Sequence, residues 1–202
     1  MARPRYQRRK EDRPQEITAA AFGAFAENGF TATKVEDVAR RAGVSKGLLY
    51  VYFKTKEELF KAVIRSVVTP RLDELTRTLD TAELGAEAFI RGPVLDFMKR
   101  VPGSPVSVVI RLMISEAPKH PDLVDYYWQN VASRGLGALR QLLRRGVENG
   151  EFRESAVTDL PQLIVAPVMM SIVWGIVFAD RSLDTDRLIE THVDMILAYI
   201  KA

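Results

Sequence analysis

Cysteine is absent from this sequence of 202 residues, and histidine occurs only twice, as His120 and His192. Without cysteine the chain can form no disulfide, thiolate nucleophile or cysteine metal site. Two histidines far apart in sequence supply too few ligands for a zinc site or a histidine-based catalytic cluster. A glycine-rich phosphate loop is also missing. We therefore expect no enzyme, no cofactor and no metal site.

The sequence has no apolar segment behind its polar, basic N-terminus, so a signal peptide is not expected. One stretch, Leu160–Ala179, carries no charged residue and is long enough to imitate a membrane span. It is interrupted by Pro161, Gln162, Pro167 and Gly175. These interruptions favour a helix buried in a core or a subunit interface, and we expect a cytoplasmic protein.

Positive charge is concentrated at the start of the chain. The first 56 residues contain twelve Lys or Arg and only six Asp or Glu, whereas the whole chain has a net charge of +3. A polyanion is therefore attracted to the N-terminal part. Met1–Arg13 is interpreted as a flexible basic arm. Its arginines either contact DNA, in a minor groove or at phosphates, or belong to a disordered tail.

The composition, 47% hydrophobic and 27% charged, is typical of a globular protein. After Asp80 each segment has the apolar spacing of a helix, and no alternating strand pattern of useful length occurs. Proline and glycine mark the joints between segments. The predicted fold class is all-α, and the later helices are expected over Glu83–Val101, Pro105–Ala117, Pro121–Asn149, Leu160–Ala179 and Asp184–Ala202.

The N-terminal part contains signals for a series of shorter helices. A first helix begins near Pro14 and stops at Asn28-Gly29. Thr33 and Glu36 form a capping-box pattern that opens a second helix. A further capping box, Thr55–Glu58, opens a long helix in which Pro70 predicts a kink.

Two short helices meet at Ala42-Gly43-Val44-Ser45, which is the strongest local pattern. A helix-turn-helix needs a small residue at the crossing, a glycine in a left-handed turn and an apolar residue after it. Ala39, Gly43 and Val44 meet these three needs. Ser45 is placed to cap the second helix, Lys46 to about Phe53, and such a helix enters the DNA major groove.

The order of these residues, from Thr31 through Leu49-Tyr50-x-Tyr52-Phe53 to Phe60, resembles the DNA-binding domain of the tetracycline-repressor (TetR) family. The resemblance covers roughly Ile17 to Phe60 with high specificity. It implies a three-helix DNA-binding domain over residues 14–56. It also implies a larger helical ligand-binding and dimerisation domain over residues 57–202, with about nine helices.

The resemblance carries the family's DNA contacts to particular positions. Thr33 and Lys56 match phosphate contacts, and bases are read where the recognition helix opens. Leu48 departs from the family pattern and is left out, since it can either face a thymine methyl or pack internally. Tyr50 can equally be core. The predicted DNA-binding residues are Thr33, Ser45, Lys46, Gly47, Tyr50, Tyr52 and Lys56.

The C-terminal domain is expected, by the same resemblance, to hold a small-molecule cavity and to dimerise through its last two helices. Methionine and aromatic side chains suit an apolar or mixed ligand, although most of them can equally be plain core. The ligand candidates are Phe97, Met113, Trp128, Met170 and Trp174. The expected function is a homodimeric repressor, released from a pseudo-palindromic double-stranded DNA operator by a small-molecule effector. The alternative is a helical small-molecule carrier without specific DNA binding.

Overall fold

The computed structural model describes residues 5–81 and 83–202, with side chains from residue 12 onward. Within these ranges the backbone is predominantly helical and contains no strand, apart from an isolated antiparallel bridge between Phe152 and Lys201. The predicted all-α class is confirmed.

The described residues form thirteen α-helices. They are α1 (Arg5–Ala32), α2 (Val35–Arg41), α3 (Lys46–Tyr52), α4 (Lys56–Val67), α5 (Thr69–Thr81), α6 (Ala86–Phe89), α7 (Leu95–Arg100), α8 (Pro105–Glu116), α9 (Pro121–Tyr127), α10 (Ser133–Glu148), α11 (Ala156–Asp159), α12 (Gln162–Val177) and α13 (Thr185–Ile200). Two π-helical turns, Ile90–Val94 and Trp128–Ala132, join α6 to α7 and α9 to α10.

The helices divide into two compact units. The first runs up to Val67 and also includes Leu112–Tyr126, and the second consists of Val68–Arg111 and Tyr127–Ala202. Helix α8 therefore begins in the second unit and ends in the first. The boundary expected after residue 56 differs from this division, because α4 and a returning segment also join the first unit.

The first unit is built around three phenylalanine rings. Phe25, Phe30 and Phe60 are fully buried, and their ring centroids lie between 5.3 and 5.5 Å apart. Contacts of this kind add specific ring geometry to the burial of apolar area. Helix α1 packs against α2 and α4 around this cluster, which fixes the position of the helix-turn-helix.

Helix α1 is longer than the sequence predicts, since it begins at Arg5 and continues through Pro14. The predicted arm is therefore helical where it is described, from Arg5 to Arg13, and residues 1–4 lie outside the described residues. The predicted stop is present at Gly29, whose φ of 77° and ψ of 167° interrupt the helix before its last turn. Glycine adopts this left-handed region at little steric cost.

The second unit packs α10 against α5 and α6, and packs α12 and α13 against α7. Its core includes Phe89, Met98, Leu142, Ile189 and Leu197, all at most 2% exposed. The kink predicted at Pro70 is present as a break, because α4 ends at Val67 and α5 begins at Thr69. None of the described helices is long and apolar enough to cross a membrane.

Candidate nucleic-acid interface

The turn between α2 and α3 has the backbone geometry that its sequence predicts. Gly43 has a φ of 65°, and an added Cβ would meet no atom within 4 Å, so backbone conformation alone calls for glycine there. The amides of Ala42 and Val44 donate to the carbonyls of Val38 and Ala39, each at 2.9 Å. These bonds end α2 and fix the direction in which α3 leaves the turn.

Helix α3 presents one face to the core and the opposite face outward. Ser45 caps its start, since the Ser45 hydroxyl accepts a hydrogen bond from the amide of Leu48 at 3.1 Å. Leu49 is fully buried, and Tyr52 at the end of the helix is half-buried. The outward side chains and glycine are Ser45, Lys46, Gly47, Leu48, Tyr50 and Val51.

Leu48 and Val51 were not among the predicted contacts. Val51 is 65% exposed, the largest exposed fraction among the apolar side chains of α3. The sequence does contain the information that Leu48 and Val51 face outward. Residues 49, 52 and 53 have the spacing of a buried face, which leaves residues 47, 48 and 51 on the opposite face. Apolar side chains on a recognition helix suit the methyl groups of thymine.

Lys46 is the only cation of α3, and it is paired within the unit. Its ammonium donates to the carboxylate of Glu36 on α2 and lies 5.9 Å from the centre of the Tyr50 ring. The bond to Glu36 raises the pKa of Lys46, and the same bond lowers the pKa of Glu36. Both side chains remain about half exposed.

The Thr33 side chain lies against α1 and does not cap the start of α2. The capping box is wrong, because α2 begins after Lys34 and has no side-chain cap. The Thr33 side chain is 2% exposed, and its hydroxyl lies 2.6 Å from the carbonyl oxygen of Gly29 and 3.1 Å from that of Ala24. The Thr33 hydroxyl is therefore held against α1 in this structure, and its predicted phosphate contact stays a prediction.

Lys56 also points inward. Its ammonium donates to the carbonyl oxygens of Phe30, Thr31 and Thr33 at 2.8, 3.1 and 3.1 Å. It also lies 4.5 Å from the centre of the Phe30 ring. A lysine has three donors, and here all three face backbone carbonyls. In this structure the Lys56 ammonium closes the end of α1, and its predicted phosphate contact stays a prediction.

The end of α8 and the residues after it contact the last turn of α1. The amide and hydroxyl of Thr31 donate to the Glu116 carboxylate at 3.3 and 2.6 Å. His120, just beyond α8, lies edge-on to Phe30 with centroids 4.8 Å apart. Burial raises the pKa of Glu116, but the bonds from Thr31 and the nearby Lys119 and His120 outweigh it, so the pKa is lowered overall.

The ligand candidates have different surroundings. Phe97 lines a cleft of about 630 Å³ in the second unit, between α5, α7 and the turn at residues 101–105. Met113 is buried in the part of α8 that belongs to the first unit. Trp128 and Met170 are about half exposed, and the Trp174 indole donates to the carbonyl of Arg181. The role of these five residues in ligand binding stays a prediction.

Helix α12 is apolar on nearly all sides, but only part of it is buried. Ile164, Val168 and Ile172 face the core. Other large apolar side chains of this helix and its end are at least 37% exposed: Leu163, Met169, Met170, Val173, Ile176, Val177 and Phe178. An apolar surface of this extent is unusual on a helix that faces only water.

Comparison with known families gives two matches that together span most of the chain. The family described as bacterial regulatory proteins, tetR family, matches residues 17–63. The family described as tetracyclin repressor-like, C-terminal domain, matches residues 94–198, which is more than half of the sequence. The first match contains α2, the turn and α3.

Individual proteins agree with this assignment. The HTH-type transcriptional repressor KstR2 of Mycolicibacterium smegmatis is 30% identical over 151 residues, which cover 73% of this chain and 71% of that protein. Solved structures show the same fold. FadR of Bacillus subtilis, in complex with stearoyl-CoA, has a TM-score of 0.76 at 20% identity and covers 92% of this chain and 98% of its own. SmeT of Stenotrophomonas maltophilia, in complex with triclosan, has a TM-score of 0.78 at 24% identity. The match covers 94% of this chain and 92% of the SmeT chain.

The outward face of α3, the glycine turn before it and the match of both domains define a helix-turn-helix regulator. The chain belongs to the TetR family of bacterial regulatory proteins and is a sequence-specific DNA-binding transcriptional regulator. The carrier without DNA binding is thereby set aside.

Proposed function

We propose that this regulator is a homodimeric repressor that leaves its operator when a small molecule binds the second unit. The observation that carries the DNA-binding part is the outward face of α3. Ser45, Lys46, Gly47 and Tyr50 remain as proposed contacts, and Leu48 and Val51 join them. Thr33 and Lys56 are left out because their polar groups are satisfied internally. Tyr52 is retained as a phosphate contact through its hydroxyl.

Dimerisation through α12 and α13 is supported by the exposed apolar side chains of α12. Met169, Val173 and Ile176 follow each other at helical spacing and form a continuous stripe. Burial against a second copy would remove this stripe from water. A two-fold dimer places two recognition helices about 34 Å apart on a pseudo-palindromic site.

Action on operator DNA also implies a cytoplasmic protein. No catalytic residue is assigned.

The proposed ligand has an apolar body and binds at the cleft that Phe97 lines. The cleft combines the apolar Phe97 and Leu75 with charged side chains of both signs: Arg71, Lys99, Arg100, Glu74 and Asp96. The π-helical turn Ile90–Val94 directly precedes α7, and π-helical turns are frequent at functional sites. FadR and SmeT were crystallised with stearoyl-CoA and triclosan, and both molecules carry large apolar parts.

The first experiment is selection of bound genomic fragments by the purified protein at near-physiological salt, followed by sequencing. We expect a pseudo-palindrome whose half-sites lie about one helical turn apart. Recovery of random fragments, with binding lost at moderate salt, would show that the protein binds DNA by non-specific charge attraction only.

The ligand proposal is tested with stearoyl-CoA and triclosan as probes on the recovered duplex. A bound probe should weaken operator binding, and Phe97→Ala should weaken probe binding without changing operator affinity in its absence. A probe that binds and leaves operator affinity unchanged contradicts the release mechanism.

A further inference from the structure

The recognition helix begins with an ion pair whose acidic partner lies outside that helix. Glu36 precedes Lys46 by ten residues and belongs to α2, on the other side of the turn. Both side chains are about half exposed, so DNA can reach either of them. The single cation of α3 therefore has a partner before any nucleic acid arrives.

We propose that Glu36 determines DNA specificity by competing with phosphates for the ammonium group of Lys46. The proposal rests on the proposed DNA contact of Lys46. On DNA of any sequence, a free lysine gains affinity by approaching a phosphate and releasing its counterion. Here Lys46 either leaves Glu36 or brings it toward the phosphate, and in both cases a carboxylate faces a polyanion. Glu36 thus lowers non-specific affinity.

The cost is smaller at the correct site because a base edge is uncharged and an ammonium has three donors. One N–H of Lys46 can stay on Glu36 while another donates to O6 or N7 of a guanine in the major groove. The carboxylate then holds the lysine toward the bases and loses no partner. Glu36 consequently penalises phosphate binding more than base binding, which is how a repulsive group produces specificity.

Two other ion pairs nearby hold no side chain of α3 and supply a control. Glu27 of α1 binds Arg41 at 2.7 Å, and Asp37 binds Arg40 within α2. Glu27 and Glu36 are both exposed carboxylates in side-chain hydrogen bonds with a cation. Substituting either with glutamine changes the net charge of the protein by the same amount.

The experiment compares Glu36→Gln with Glu27→Gln on the duplex recovered by genomic selection and on a scrambled duplex of equal length. For Glu36→Gln we expect about two- to fivefold tighter binding to the scrambled duplex, the range of an exposed ion pair. Operator affinity should change less, so the specificity ratio falls. The plot of log K against log salt for the scrambled duplex should steepen by about one, because one more phosphate contact forms.

A double variant, Lys46→Ala with Glu36→Gln, separates this competition from general electrostatics. If Glu36 acts through Lys46, Glu36→Gln should no longer change the specificity ratio once Lys46 is gone. Equal effects of Glu36→Gln and Glu27→Gln on both duplexes, or an unchanged ratio in the single variant, would overturn the proposal. Absence of any preferred sequence in the unmodified protein would instead refute the proposed DNA contacts.

Discussion

Lys46 and Lys56 carry the same charge close to the same turn, yet the structure places them in different surroundings. Lys46 is exposed at the start of α3 and is held by a carboxylate. Lys56 lies against three backbone carbonyls and the ring of Phe30. Only Lys46 can exchange its partner for DNA without uncapping a helix. Proximity of a cation to a recognition helix is therefore insufficient to assign a DNA contact.

Substitution of Lys56 by methionine tests this difference at the residue scale. Lys56→Met keeps the aliphatic chain but leaves three carbonyls without their donor, and we expect a loss of about 1–3 kcal/mol in the free energy of unfolding. The salt dependence of DNA binding should keep its slope, since no phosphate contact is removed. Denaturant unfolding and binding at several salt concentrations measure the two quantities. A slope reduced by about one would instead show that Lys56 contacts a phosphate.

The sequence was sufficient to predict the local conformation of some residues near the turn and insufficient to predict the surroundings of others. Ser45 and Gly43 were correctly placed because local rules for caps and left-handed turns decide their conformation. The surroundings of Thr33 and Lys56 depend on where α1 ends relative to α2 and α4, which is a tertiary property. Sequence spacing does not contain that information.

At the scale of the element, Gly43 and Gly47 form a matched pair on the two sides of Ser45. Gly43→Ala forces a side chain into a left-handed conformation and should cost about 1–2 kcal/mol of stability. Gly47→Ala lies inside α3, where the nearest atom to an added Cβ is 4.0 Å away. It should raise stability by about 0.5–1 kcal/mol while weakening operator binding, if the backbone approaches DNA there. Thermal unfolding and operator titration of both variants decide the matter; unchanged operator binding by Gly47→Ala would contradict close approach.

The end of α8 gives the first unit a pH-dependent contact through Glu116. Its pKa is lowered from 4.5 in the folded state, so its contribution to stability is present above that value and is lost as the pH falls through the folded pKa. Unfolding free energies of the unmodified protein and Glu116→Gln, measured from pH 7 downward, should converge in acid. Curves that stay parallel would assign the acid sensitivity to other carboxylates.

Helix positions after residue 80 were largely predictable, because proline and glycine mark the joints and apolar spacing marks the interiors. Helices α8, α12 and α13 lie within their predicted ranges. The π-helical turns at Ile90–Val94 and Trp128–Ala132 and the short α11 were not predicted. These features have no distinct periodicity in the sequence from which they could be predicted.

For the whole molecule, the exposed stripe of α12 determines the expected state of assembly. Ile176→Glu places a charge in the proposed interface, where it would be buried without a partner. We expect monomers by sedimentation at concentrations where the unmodified protein is a dimer, together with weaker binding to the full operator. Leu84 is an exposed apolar residue outside α12 and α13. Leu84→Glu therefore serves as the control and should leave the dimer intact. If both variants remain dimeric, the interface lies elsewhere.

The division of α8 between the two compact units also bears on how such regulators can be recombined. A hybrid joined at Val67 would inherit α1 to α4 but would leave behind Leu112–Tyr126, which includes Glu116 and His120. The transplanted DNA-binding part would then lose the acceptor for Thr31 and the ring that packs on Phe30. A functional exchange of modules must therefore carry two separate stretches of the gene. This requirement constrains both the engineering of new sensors and the crossover events that evolution can use.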